Sequence, residues 1–97
     1  MKERINITIG EFLKESRKNK NMTGRELAKL MHVSQQQISR YETGQTKLTL
    51  EQLNMLLVLL GRSWSEVFHI IEDEYEKEWI SRNLSVNNNL ESSIKHL

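Results

Sequence analysis

The chain has 97 residues, no cysteine, no proline and a formal net charge of +1. That length accommodates one domain with a small core, and the lack of cysteine excludes a disulfide framework or a thiolate metal site. The segment MKERINITIGEF lacks the apolar core of a secretory signal, and the longest apolar run, residues 55–60, falls far short of the roughly 20 residues a bilayer span needs, so a soluble cytoplasmic protein is expected. Charge is unevenly placed: residues 1–47 hold ten Lys or Arg against five acids, and residues 48–97 hold four against eight. A basic half beside an acidic half suggests one surface for a polyanion and another for something else.

Strands have little support, because no β-branched run alternates strictly. Helices have much more. Ser or Thr followed three residues later by Glu or Gln, the capping-box pattern, occurs at Thr8 and Glu11, Thr23 and Glu26, Ser34 and Gln37, Thr49 and Gln52, and Ser63 and Glu66. Ser39 and Glu42 also fit but fall in mid-helix. The five starts lie 11 to 15 residues apart, the length of a short helix and its turn. The first helix is predicted over residues 9–20, with Phe12 and Leu13 inward and Asn21 ending it; residues 1–8 are expected as an N-terminal arm or an unstructured end. The second covers residues 24–31, burying Leu27, Ala28 and Met31. The third covers residues 35–43, burying Ile38 and Tyr41, with Gly44 as its left-handed stop. The fourth runs over residues 50–60, with Leu50, Leu53, Leu57 and Leu60 as its core stripe and Gly61 as its stop. The fifth starts after Ser63 and runs to about Asn83 on an apolar stripe of Trp64, Phe68, Ile71, Tyr75 and Trp79. Together residues 9–82 form the expected domain, and residues 83–97 read as a polar, frayed tail.

Between the second and third helices only His32 and Val33 separate a helix end from the next N-cap, which forces a steep crossing. TGRELAKLMHVSQQQISRYETG is therefore a helix-turn-helix. Leu27, Ala28, Val33, Ser34, Ile38 and the ending Glu42-x-Gly44 resemble the Cro/CI/Xre family of prokaryotic DNA-binding domains over roughly residues 9–68. SQQQISRYE with a long C-terminal extension is similar to MrpJ-type regulators of fimbrial operons. The resemblance implies an all-α, five-helix, lambda-repressor-like fold, here with an extended C-terminal helix. It also implies a cytoplasmic, nucleoid-associated bacterial protein.

With Ile38 at the centre of the buried face and about 100° per residue, Gln36, Arg40 and Thr43 point outward, with Ser39 on the flank. Gln37 occupies the third position after the Ser34 cap and is expected to reach back to the Ser34 N–H. Gln35 lies in the first turn, the end that a recognition helix pushes into the major groove. The wheel alone places it near the inward flank, and its base contact is what the resemblance implies. Glutamine offers a donor and an acceptor side by side, matching adenine N6 and N7. Gln35 and Gln36 are thus the adenine-reading candidates, and Arg40 is a candidate for guanine or for phosphate. Phosphate contacts are expected from Arg25 and Lys29 on the exposed side of the second helix, from Ser39 and Thr43, and, by the resemblance, from Gln45, Thr46 and Lys47. The resemblance further implies an ion pair between Arg17 and Glu42. Two positions depart from the family: Gly24 stands where many relatives carry a glutamine that supports the first recognition residue, and His32 stands in place of a glycine in the turn.

Met55, Val58 and Leu59 are surplus to the fourth helix's core stripe. Together with Ile71, Tyr75 and Trp79 they are expected to form a homodimer interface, with burial inside the monomer as the alternative. A dimer sets two recognition helices about 34 Å apart on a pseudo-palindromic site. Glu72, Asp73, Glu74, Glu76 and Glu78 are expected to keep that end off DNA. No nucleophile and base pair, metal cluster or phosphate loop is present, so neither catalysis, metal nor cofactor is expected. The sequence reads as a double-stranded-DNA-binding transcription regulator, with an antitoxin, a phage-type repressor or a protein-binding module on the same fold as alternatives.

Overall fold

The computed structural model describes residues 2–86, which form five α-helices: α1 (Lys2–Asn19), α2 (Gly24–Met31), α3 (Gln35–Glu42), α4 (Leu50–Leu60) and α5 (Trp64–Val86). The all-α expectation holds among the described residues. Four of the five expected helix starts coincide with cap chemistry. Thr23 and Thr49 each accept the backbone N–H of the residue three further on, Glu26 and Gln52, while those side chains accept the Thr N–H in return. Ser63 and Glu66 exchange the same pair of bonds. Each satisfies donors that a helix start leaves open.

The fifth start is a correction. Thr8 caps nothing, and α1 begins at Lys2 instead of residue 9. Thr8 lies inside the helix, where its hydroxyl is shared between the Arg4 carbonyl at 2.9 Å and Glu74 Oε1 at 3.1 Å. Residues 2–8 are therefore helical, docked on α5, and not a free arm. At its other end α1 stops one residue early, at Asn19, and Asn21 takes the left-handed conformation (φ 55°). Helix α5 continues through Val86, so the tail expected from residue 83 does not begin there; the rest of the expected tail lies outside the described residues.

The core comprises Leu13, Leu27, Ala28, Ile38, Tyr41, Leu53, Leu56, Leu57, Leu60 and Val67. On α4 the inward set is Leu53, Leu56, Leu57 and Leu60, an i, i+3, i+4, i+7 face; Leu50, expected inside, is 75% exposed. Met31 is only partly buried. The apolar stripe expected on α5 is divided, Trp64 and Ile71 packing against the core. Val67 and Glu74 are buried, whereas Phe68, Tyr75 and Trp79 of the aromatic stripe face solvent. Glu74 is thus no solvated surface acid. Among the described residues no helix is long and apolar enough to cross a membrane.

Candidate nucleic-acid interface

Helix α2 ends at His32, which adopts φ 58° and ψ 40°, and the Val33 N–H donates to the Ala28 carbonyl at 3.0 Å. Non-glycine residues rarely adopt this conformation, though histidine is among those that tolerate it. The chain then turns into Ser34, whose hydroxyl accepts the Gln37 N–H at 3.0 Å and starts α3. Gln37 does not return a bond to the Ser34 N–H as expected. Its side chain is half-buried on the helix flank, and the cap is made by the serine alone.

Helix α3 buries Ile38, Tyr41 and Glu42 and leaves Gln35, Gln36, Ser39, Arg40 and Thr43 exposed. Gln35 is on the accessible side, although a wheel centred on Ile38 puts it near the inward flank. Across the turn it adjoins Gly24: a Cβ placed on Gly24 would lie 3.9 Å from Gln35 Cγ. Position 24 therefore adjoins the first glutamine, and glycine there leaves the Gln35 amide without a backing side chain. Thr43 is exposed, but its hydroxyl donates to the Ser39 carbonyl at 2.8 Å.

Arg25 and Lys29 are exposed on α2, and Gln45 and Lys47 are exposed after α3, with Thr46 intermediate. The loop begins in a defined geometry. Gly44 adopts φ 75°, and the Gln45 N–H donates to the Arg40 carbonyl at 2.9 Å. Exposed cationic and hydrogen-bonding groups thus occur on α2 and on the segment after α3, side-chain types that suit a phosphate backbone.

The inner end of α3 is tied to α1. Arg17 forms a two-pronged fork on Glu42, with Nε to Oε2 at 2.7 Å and Nη2 to Oε1 at 3.0 Å; Nη1 donates to the Met22 carbonyl at 2.8 Å. The hydrogen bond to Glu42 raises the Arg17 pKa above its ordinary value, against the opposing effect of burial. Beside the fork lies Gly10, a residue that sequence reasoning missed. Its Cα faces the carbonyl oxygens of Tyr41 and Glu42 so closely that an added Cβ would sit 2.6 and 2.5 Å from them. A glycine inside an otherwise regular helix was the available signal.

Away from this surface, Met55, Val58, Tyr75 and Trp79 are exposed, while Leu59 and Ile71 are partly buried against the chain's own core. Trp64 Nε1 donates to Asn54 Oδ1 at 2.9 Å, fixing the start of α5 on α4.

The helix-turn-helix family HTH_3 matches residues 13–67, more than half of the chain. The chain belongs to that family, and fold and site together define a DNA-binding, transcription-regulating class of protein. Two crystal structures of the clp gene regulator ClgR from Corynebacterium glutamicum are similar to it. One is 28% identical with a TM-score of 0.64, covering 72% of this chain and 91% of that one. The other is 27% identical with a TM-score of 0.66, covering 92% and 93%. No curated protein sequence matches significantly.

Proposed function

We propose that the chain is a sequence-specific regulator that lays α3 in the major groove of double-stranded DNA. Gln35 and Gln36 read adenine, and Arg40 takes guanine or an adjacent phosphate. Arg25, Lys29, Ser39, Thr43, Gln45, Thr46 and Lys47 anchor the backbone. The observation that carries this reading is the exposure of both glutamines on a helix whose opposite face is locked into the core.

The chain acts as a dimer on a pseudo-palindromic operator. Exposed Met55, Val58, Tyr75 and Trp79 support that assignment; Leu59 and Ile71, already packed on the core, contribute less. The likeness of SQQQISRYE to MrpJ-type regulators favours fimbrial or motility operons as targets. Recovery of genomic fragments on the full chain, followed by mobility shift at two salt concentrations, tests the reading. Retention of a discrete operator and affinity that falls steeply with salt are expected. Salt-insensitive binding or none would point to the protein-binding module, the reading that Gly24 favours by leaving Gln35 unsupported.

A further inference from the structure

We propose that Glu74 on α5 is a positioning residue for DNA binding: it pins the first turns of α1, and the pinned turns hold loop 44–47 in place against the end of α3. The inference rests on the DNA-binding reading and adds to it a residue remote from the reading surface.

Glu74 is 6% exposed on the inward face of α5, where an apolar side chain would ordinarily pack. Its Oε1 accepts from the Thr8 hydroxyl at 3.1 Å. Its Oε2 lies 3.1 Å from Arg4 Nε, an ion pair outside hydrogen-bond alignment. Both partners belong to the stretch that the sequence failed to show as helix. The reason is local: residues 2–8 combine Asn6 with β-branched Ile5, Ile7 and Thr8, and such a stretch gains little helix stability without tertiary contacts. Glu74 supplies two of those contacts.

The other side of the same stretch touches the reading head. A Cβ on Gly44 would meet Ile7 N at 2.7 Å and Ile7 Cα at 2.8 Å, so the Ile7 backbone is a backstop for the residue that opens the loop. One turn further along, Gly10 abuts the last carbonyls of α3. The line of contact runs from Glu74 through Arg4 and Thr8 to Ile7, then to Gly44 and the loop carrying Gln45, Thr46 and Lys47. If the first turns fray, that loop loses its backing, while Gln35 and Gln36, at the opposite end of α3, lie outside this line of contact.

Two variants of the full chain test this. Glu74→Gln removes a negative charge, which by electrostatics alone raises affinity for DNA; Thr8→Val removes the hydroxyl without changing charge. The expected result is lower affinity for duplex in both, with the slope of log affinity against log salt reduced by about 0.9 for each phosphate that is no longer neutralised. Preference for operator over scrambled duplex should stay within about twofold of wild type. In the DNA-free chain, amide exchange at Gly44 and Gln45 should accelerate at least about tenfold while the Leu57 amide keeps its protection. Unchanged exchange at Gly44 and Gln45, or Glu74→Gln binding with equal or higher affinity and slope, would overturn the proposal. If Glu74→Gln also loses Leu57 protection, the milder Thr8→Val decides by the same criteria. Failure of the wild-type chain to bind duplex would refute the DNA reading and leave the exchange test of Glu74 intact.

Discussion

Gly10 and Glu42 meet with no room for a side chain between them: a Cβ on Gly10 would lie 2.5 Å from the Glu42 carbonyl oxygen. The obstacle is backbone, which cannot swing aside as a flexible side chain does. Gly10→Ala is therefore expected to destabilise the fold by about 1–3 kcal/mol, despite alanine's higher helix propensity. Urea unfolding monitored by circular dichroism checks it; a gain in stability would mean that α1 does not cross α3 here.

Arg17 and Glu42 are 12% and 7% exposed, and their fork is supplemented by the Met22 carbonyl. Removing one partner strands the other. Arg17→Met or Glu42→Ala alone should lower unfolding free energy by about 3 kcal/mol, and the double replacement by clearly less than the sum. Additive losses in a denaturation cycle would show that the two side chains act independently.

His32 holds a left-handed conformation and bonds through its backbone N–H rather than its ring. Glycine adopts that conformation without the Cβ clash. His32→Gly should raise thermal stability by up to about 1 kcal/mol, part of the gain being offset by the freer unfolded chain. A clear drop in melting temperature would assign a packing role to the imidazole.

Glu26 accepts the Thr23 N–H, and that bond, followed by the Thr23 hydroxyl, lowers its pKa from the ordinary 4.5; Glu66 is lowered in the same way, first by the Ser63 N–H. A depressed folded-state pKa means the contribution is fully present above the unfolded value and fades as pH falls through the folded value. Thermal melts should therefore lose stability below about pH 4.5, and Glu26→Gln together with Glu66→Gln should flatten that acid limb. An unaltered acid limb in the double variant would exclude these caps as its source.

Helices α2, α3 and α4 were legible because each is bracketed by local chemistry: a hydroxyl cap in front, and His32, Gly44 or Gly61 in a left-handed turn behind. The first turns of α1 were not, since what holds Arg4 and Thr8 is Glu74, 66 residues beyond Thr8. Along α5 the expected stripe is split, with Trp64 and Ile71 packed on the core. The helix's inward side also carries a carboxylate at Glu74, and the outer part of the stripe, Phe68, Tyr75 and Trp79, is exposed, where Tyr75 and Trp79 were expected to meet a second copy. At the reading head the outward set Gln36, Arg40 and Thr43 followed from helical period alone. The exposure of Gln35 did not, because the first turn of α3 is uncovered beside a glycine at position 24 that no wheel on α3 contains.

The central claim is that amide groups at the start of α3 choose the base sequence. It is tested most directly by competing an operator recovered from genomic fragments against a scrambled duplex, for wild type and for Gln35→Ala/Gln36→Ala, at matched salt. Each adenine contact is worth about 1–3 kcal/mol of discrimination, so the variant should lose roughly tenfold or more of its preference while keeping its salt slope. A folded variant that still prefers the operator as strongly as wild type would contradict the account.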